Sequence, residues 1–93
     1  MISLEAVCET VSVRPADLQR WIGRAWVRPL EHAGQWQFEE IDVARVRLIV
    51  TLRDELRVEE DTLPVVLSLL DQLHDARREV QAMRHVLRER GAG

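Results

Sequence analysis

The sequence predicts a mainly α-helical protein with one short β-hairpin and a long C-terminal helix. Three observations carry that expectation. Apolar residues recur at helical spacing in three separated segments. A short stretch, LEHAGQWQF over Leu30 to Phe38, interrupts them with a turn-forming Ala33-Gly34 pair between two apolar ends. The last third then steps through apolar residues by alternating threes and fours.

The first helix is expected over Leu4 to Glu9, with Ser3 as its N-cap and Leu4, Val7 and Cys8 on the inner side. A turn over Thr10 to Arg14 follows. Pro15 suits the first position of a second helix, where its missing N–H costs nothing, and Asp17 suits the first turn, where the helix dipole favours an acid. Leu18, Trp21, Ile22 and Ala25 continue it, and Val27-Arg28-Pro29 favours extended backbone, so the helix is expected to end near Trp26. Val27 to Leu30 and Trp36 to Phe38 are the expected strands.

A third helix is expected from Glu39 to Leu56. Ile41, Ala44, Leu48, Leu52 and Leu56 mark one apolar stripe, and Val43, Val46 and Val50 another, which suggests a central element buried on two sides. Arg57 to Asp61 reads as a charged, exposed link. A fourth helix is expected from Leu63 to about Glu89, with Pro64 tolerable in its first turn. Val66, Leu69, Leu73, Ala76, Val80, Met83 and Leu87 form a heptad seam that suggests a homodimer. Leu63, Leu67 and Leu70 widen the seam at its start, enough to pack on the globular part as well. The tail Gly91-Ala92-Gly93 is expected to fray.

Composition narrows the function classes. Of 93 residues 46% are apolar and 31% charged, a globular rather than disordered balance. The single Cys8 allows no intrachain disulfide, and it reads as a small core residue. Three scattered histidines and one cysteine lack metal-ligand spacing, so neither metal nor cofactor is expected. No Ser/His/Asp set, paired-carboxylate pocket or Gly-rich phosphate loop is visible, so enzyme activity is not expected. No secretory signal pattern occurs and no apolar run of about 18 residues. A cytoplasmic location away from membranes is expected.

Charge argues against nucleic acid as the partner. Net charge is −3, and all 13 basic residues are Arg. Within the first 45 residues, Arg14, Arg20, Arg24, Arg28 and Arg45 face seven acids: Glu5, Glu9, Asp17, Glu31, Glu39, Glu40 and Asp42. The hairpin itself holds no Arg or Lys. A DNA-binding protein commonly neutralises about 6–10 phosphates, more than five outnumbered arginines supply. Trp21, Trp26 and Trp36 lack the interleaved basic residues of a base-stacking platform. Trp21 and Trp36 are expected in the core. Acids cluster instead around the joint between helices three and four: Asp54, Glu55, Glu59, Glu60, Asp61, Asp71 and Asp75.

The order of elements resembles a MerR-like winged helix-turn-helix. Val13-Arg14-Pro15-Ala16-Asp17-Leu18 is similar to the start of that family's second helix. Ala25-Trp26-Val27-Arg28-Pro29 is similar to the exit into its wing, and Gly34-Gln35-Trp36-Gln37-Phe38 with Glu39-Glu40-Ile41-Asp42 to the wing strand and third-helix start. On that resemblance, residues 1–58 are a winged helix-turn-helix core. Residues 59–93 are a C-terminal helix that packs on the core and dimerises. Where DNA-binding members carry Arg-Tyr-Tyr on the second helix and Arg in the wing, this chain has Gln19-Arg20-Trp21-Ile22 and Gln37.

Leu52-Arg53-Asp54-Glu55-Leu56 and Leu67-Ser68-Leu69-Leu70-Asp71 further resemble the CbpM-like chaperone modulators. These bind a DnaJ-like co-chaperone, CbpA. The resemblance implies binding to the J-domain of such a co-chaperone and inhibition of its stimulation of DnaK. The seven joint acids are then the expected contact for a basic J-domain helix. The alternative is a MerR-like DNA-binding transcriptional regulator using Arg14, Arg20, Arg24 and Arg28. A third reading is a dimeric scaffold for an unrelated protein partner.

Overall fold

The structure is a computed structural model and describes residues 1–91; the part of the expected frayed tail at 92–93 lies outside the described residues. The chain divides into two compact units, Met1–Leu63 and a second that begins at Pro64.

The chain opens with a strand the sequence did not reveal, β1 (Ile2–Ser3). Two residues are too few to show a period. Ser3 then serves twice, because its hydroxyl accepts from the Ala6 N–H at 3.2 Å and caps helix α1 (Leu4–Val11). This helix outlasts the expected end at Glu9 by two residues. It closes where Ser12 turns left-handed at φ 61° and the Val13 N–H reaches the Cys8 carbonyl at 3.1 Å. Leu4, Val7 and Cys8 are buried, as the spacing requires.

Helix α2 (Pro15–Gly23) starts at the expected proline but stops before Trp26. Ala25 takes φ 60°, its N–H bonds the Ile22 carbonyl at 2.9 Å, and the Trp26 N–H bonds the Trp21 carbonyl at 3.0 Å. That pair of bonds is a Schellman closure, with alanine where glycine is usual. It turns Trp26 and Val27 into the core.

The hairpin is displaced from its expected position. Its strands are β2 (Leu30–His32) and β3 (Gln35–Phe38), joined by Ala33 at φ 52° and Gly34 at φ 77°. Two left-handed residues make a two-residue hairpin turn, which fixes the pairing of His32 with Gln35 and Leu30 with Gln37. Counting back from the turn reaches Pro29, which has no N–H for the ladder, so Val27 to Pro29 stay outside β2. Strand β3 lies between β1 and β2, with Ile2 opposite Phe38. Phe38 is fully buried, while Trp36, on the same face of the strand and expected in the core, is only half-buried.

Helix α3 (Glu40–Val50) is capped by Glu39, whose N–H donates to the Asp42 carboxylate at 2.9 Å. It continues as one wide π-helical turn, Thr51–Glu55, closed by the Leu56 N–H on the Thr51 carbonyl at 3.1 Å. Arg57, at φ 58°, then ends the run. The buried line follows neither expected stripe: it takes Val46 from one, Leu52 from the other and Ile49 from neither. Val46, Ile49 and Leu52 are buried, whereas Ile41 is 76% and Leu56 65% exposed. The extra residue of the π turn shifts the helical phase after Val50, which carries Leu56 away from the buried line.

Val7, Leu18, Trp21, Val27, Phe38, Val46, Ile49 and Leu63 are the most deeply buried large side chains. The first unit thus packs α1, α2, α3 and one sheet face around a single apolar centre. Helix α4 (Leu63–Gly91) is 29 residues long, with Pro64 at its second position. Every described residue from Asp71 onward is exposed.

The Phe38→Ala variant is expected to lose about 3–5 kcal/mol of stability, since a cavity replaces a fully buried ring. Ile41→Ala is expected to change stability by less than about 0.5 kcal/mol. Urea unfolding of both variants measures the contrast. Equal losses would mean that Ile41 belongs to the core.

Candidate functional site

Helix α2 presents Asp17, Arg20 and Arg24 at intervals of three and four, and therefore on one face. Asp17 and Arg20 pair along that face at 2.9 Å. The Arg20 guanidinium also grips Glu60, from the turn that leads into α4. Its Nε donates to Glu60 Oε2 at 3.2 Å and its Nη2 to Oε1. Glu60 Oε1 accepts a further bond from the Trp21 indole N–H at 3.2 Å. Arg24 Nη1 stands 3.9 Å from Glu60 Oε2.

The network extends to the π turn. Arg53 Nη1 donates to the other Asp17 oxygen at 3.1 Å, and Arg53 holds Asp54 through Nε at 2.7 Å and Nη2 at 3.3 Å. The result is an alternating run, Arg24, Glu60, Arg20, Asp17, Arg53 and Asp54, in which three guanidiniums meet three carboxylates. Two indoles lie beneath it: the Arg53 guanidinium sits 5.1 Å from the Trp21 ring centre and Arg24 sits 5.3 Å from that of Trp26.

The pairing shifts the ionisation of its members. The hydrogen bond from Arg20 dominates at Glu60 and, helped by Trp21, holds its pKa below the ordinary glutamate value despite partial burial. At Asp17, burial is the largest influence and acts upward. Hydrogen bonds from Arg20 and Arg53 together outweigh it and lower the pKa. The bond from Arg53 lowers Asp54. Elsewhere, burial first and the Glu5 charge second raise the Cys8 thiol, which keeps it in the unreactive protonated form.

The seven acids of the expected contact set fall into different situations. Asp54 and Glu60 are engaged with arginines inside the network. Glu55, Glu59 and Asp61 are exposed in the segment following α3. Asp71 and Asp75 are exposed on α4, in the second unit. Sequence reading missed Asp17, Arg20 and Arg53 as partners of these acids. The Asp17–Arg20 spacing was a local signal for the first bond, but Arg53 to Asp17 and Arg20 to Glu60 span 36 and 40 residues. No periodicity reports pairs so distant.

Four arginines were the candidates for a DNA contact. Arg20 and Arg24 face Glu60, while Arg14 and Arg28 are exposed at the two ends of that stretch. Another arginine, Arg45, donates its Nε to the Trp26 carbonyl at 2.9 Å and ties the exit of α2 to α3. Among the described residues, no group of three or more His, Cys, Asp and Glu side chains is arranged to hold a metal ion. No described helix is long and apolar enough to cross a membrane.

The seam residues of α4 stand on an open surface. Val66 is half-buried, whereas Leu69, Leu73, Ala76, Val80, Met83 and Leu87 are exposed, the last two at 68% each.

The lowered carboxylates give the stability a defined pH dependence. A folded pKa below the unfolded one means that the ionised form stabilises the fold. That contribution is complete above the ordinary carboxylate range and is lost as pH falls through the lowered values. Thermal melts from pH 7 to pH 3 should show the loss. Glu60→Gln should melt lower at pH 7 and show a shallower acid decline. An unchanged acid profile would remove Glu60 from this linkage.

A family model described as "MerR HTH family regulatory protein" matches residues 2–85. No curated protein matches the chain. The match spans both helices of the helix-turn-helix, the hairpin, α3 and most of α4, and on it the chain belongs to the MerR helix-turn-helix family.

Proposed function

We propose that this protein is a chaperone modulator that acts in the cytoplasm. It binds the J-domain of a CbpA/DnaJ-like co-chaperone and inhibits that co-chaperone's stimulation of DnaK. One observation carries the reading. Glu60 engages Arg20 and Arg24 on the helix that a DNA-binding relative would use, while Glu55, Glu59 and Asp61 remain exposed beside it. A face of that charge attracts a cationic helix and repels a polyanion. Asp71 and Asp75, exposed on α4, belong to the same expected contact set. The likeness of 52–56 and 67–71 to CbpM-like modulators supports the same partner. The second reading, a DNA-binding transcriptional regulator, draws support from family membership and from the exposed Arg14 and Arg28.

Calorimetry of the protein with a J-domain fragment from the same organism tests the proposal. Binding at micromolar concentrations is expected. Reversal of Glu55, Glu59 and Asp61 to Arg should weaken it by about tenfold or more, since truncated or inverted interface charges cost several kcal/mol. Absence of heat at tens of micromolar would refute the reading. Tight duplex binding that collapses with salt would favour the regulator.

We also propose that the protein is a homodimer through the seam from Val66 to Leu87. A stripe with heptad spacing lies open on a helix of 29 residues, the geometry that two-stranded packing buries. Sedimentation should give twice the monomer mass. Val80→Asp with Met83→Asp should give the monomer mass with the far-ultraviolet spectrum of the first unit retained. A monomeric parent protein would end the proposal.

A further inference from the structure

Three features meet at the end of α3. The turn Thr51–Glu55 is π-helical, a form rare in proteins and found mostly as single turns. Arg57 stands at φ 58°, in the left-handed region that a residue with a side chain enters at a cost. Leu56 is 65% exposed, although it lies four residues beyond the buried Leu52 and seven beyond the buried Ile49. A regular α-helix would set all three on one line. Two backbone bonds hold the observed form. The Leu56 N–H donates to the Thr51 carbonyl at 3.1 Å, and the Val58 N–H donates to the Leu52 carbonyl at 2.9 Å. In an α turn the Leu52 carbonyl accepts from the Leu56 N–H instead, so the two forms compete for one acceptor.

We propose that the Arg53–Asp17 bond is a latch. It holds the end of α3 in the π form, and its release lets the turn rewind to α, drawing Leu56 inward and freeing the Val58 N–H. Arg53 is the middle residue of the turn. Its Nη1 donates to Asp17 on α2 at 3.1 Å, and its guanidinium lies 5.1 Å from the centre of the Trp21 ring. Its remaining partner, Asp54, belongs to the same turn and moves with it. Only α2 therefore anchors the π turn from outside through Arg53. Rewinding the turn swings its residues about the helix axis and takes Arg53 off both α2 partners. Burial of Leu56 and relief at Arg57 offset that loss, so the segment has two packings of one sequence. The latch bears on the acidic contact, and in that respect the inference rests on the proposed function. Glu55 is the last residue of the turn, and Glu59 and Asp61 follow it, so the π form sets where these exposed acids stand. A change at α2 is thereby passed to the acidic segment.

Amide hydrogen exchange of the full chain, read residue by residue by nuclear magnetic resonance, tests this in the parent, in Asp17→Asn and in Arg53→Gln. Asp17→Asn keeps the shape of the side chain and removes its charge. Circular dichroism establishes that each variant is folded. The Val58 amide, bonded only in the π form, should exchange about tenfold faster in both variants. The Leu56 amide is bonded in either form and should keep its rate within about twofold, as should Ile49 in the body of α3. Nuclear Overhauser contacts from the Leu56 methyls to Ile49 should strengthen. Unchanged Val58 exchange in the two variants would overturn the proposal. So would equal acceleration at Leu56 and Val58, since that reports fraying of the helix end and not a second packing. Calorimetry with the J-domain fragment reads the link to the acidic segment: both variants should bind about fivefold more weakly than the parent. Equal affinity despite faster Val58 exchange would overturn that link. A parent protein that binds no J-domain refutes the proposed function, while the exchange rates still decide the latch.

Discussion

The bond network around the Glu60 carboxylate holds the first unit to its particular form. Trp21 is fully buried, and its indole N–H needs an acceptor that an apolar centre does not offer. Glu60 supplies it from outside, 39 residues away. The same carboxylate meets Arg20, and through Arg20 and Asp17 it reaches Arg53 on the π turn. One half-exposed acid thus joins the largest buried side chain to a surface run of charge. The placement of α2, of the turn before α4 and of the end of α3 depend on one another through it.

The backbone makes the arrangement possible by a series of closures at left-handed residues. Ser12, Ala25, Ala33 and Arg57 all take positive φ without being glycine. Each ends or reverses an element at the point where the next must begin. Ala25 sends Trp26 inward, where its carbonyl accepts from Arg45 on α3. Ala33 with Gly34 fixes the hairpin register, and β3 then accepts β1 along its other edge. The hairpin is therefore a brace between the first residues of the chain and α3. Its polar residues carry no cation, so its role in holding the fold does not depend on contact with a polyanion.

A fold of this family supports more than one kind of partner, because recognition lies in the side chains displayed and not in the topology. Here the display on α2 is neutralised from within, since Arg20 and Arg24 stand against Glu60 and Arg20 shares Asp17 with Arg53. What remains outward near the end of α3 is acidic, from Glu55, Glu59 and Asp61. On α4 the display is an apolar line at heptad spacing.

The helical class, the hairpin turn at Ala33-Gly34 and the Ser3 N-cap were legible in the sequence because each depends on neighbours within a few residues. Proline at position 15 and serine at position 3 act locally, and the tertiary fold left them where the spacing put them. The ends of α1 and α2, strand β1 and the inward face of α3 were not legible. Left-handed closure by Ser12 and Ala25 has no compositional mark, a two-residue strand has no period, and the π turn changes the phase against which a stripe is read. The candidate site divides in the same way. Its acids were visible as a local cluster, but which of them face solvent was decided only when α2 came within reach of Glu60. Local chemistry chose the elements; long-range pairing, over some forty residues of chain, decided which charges the protein keeps for itself.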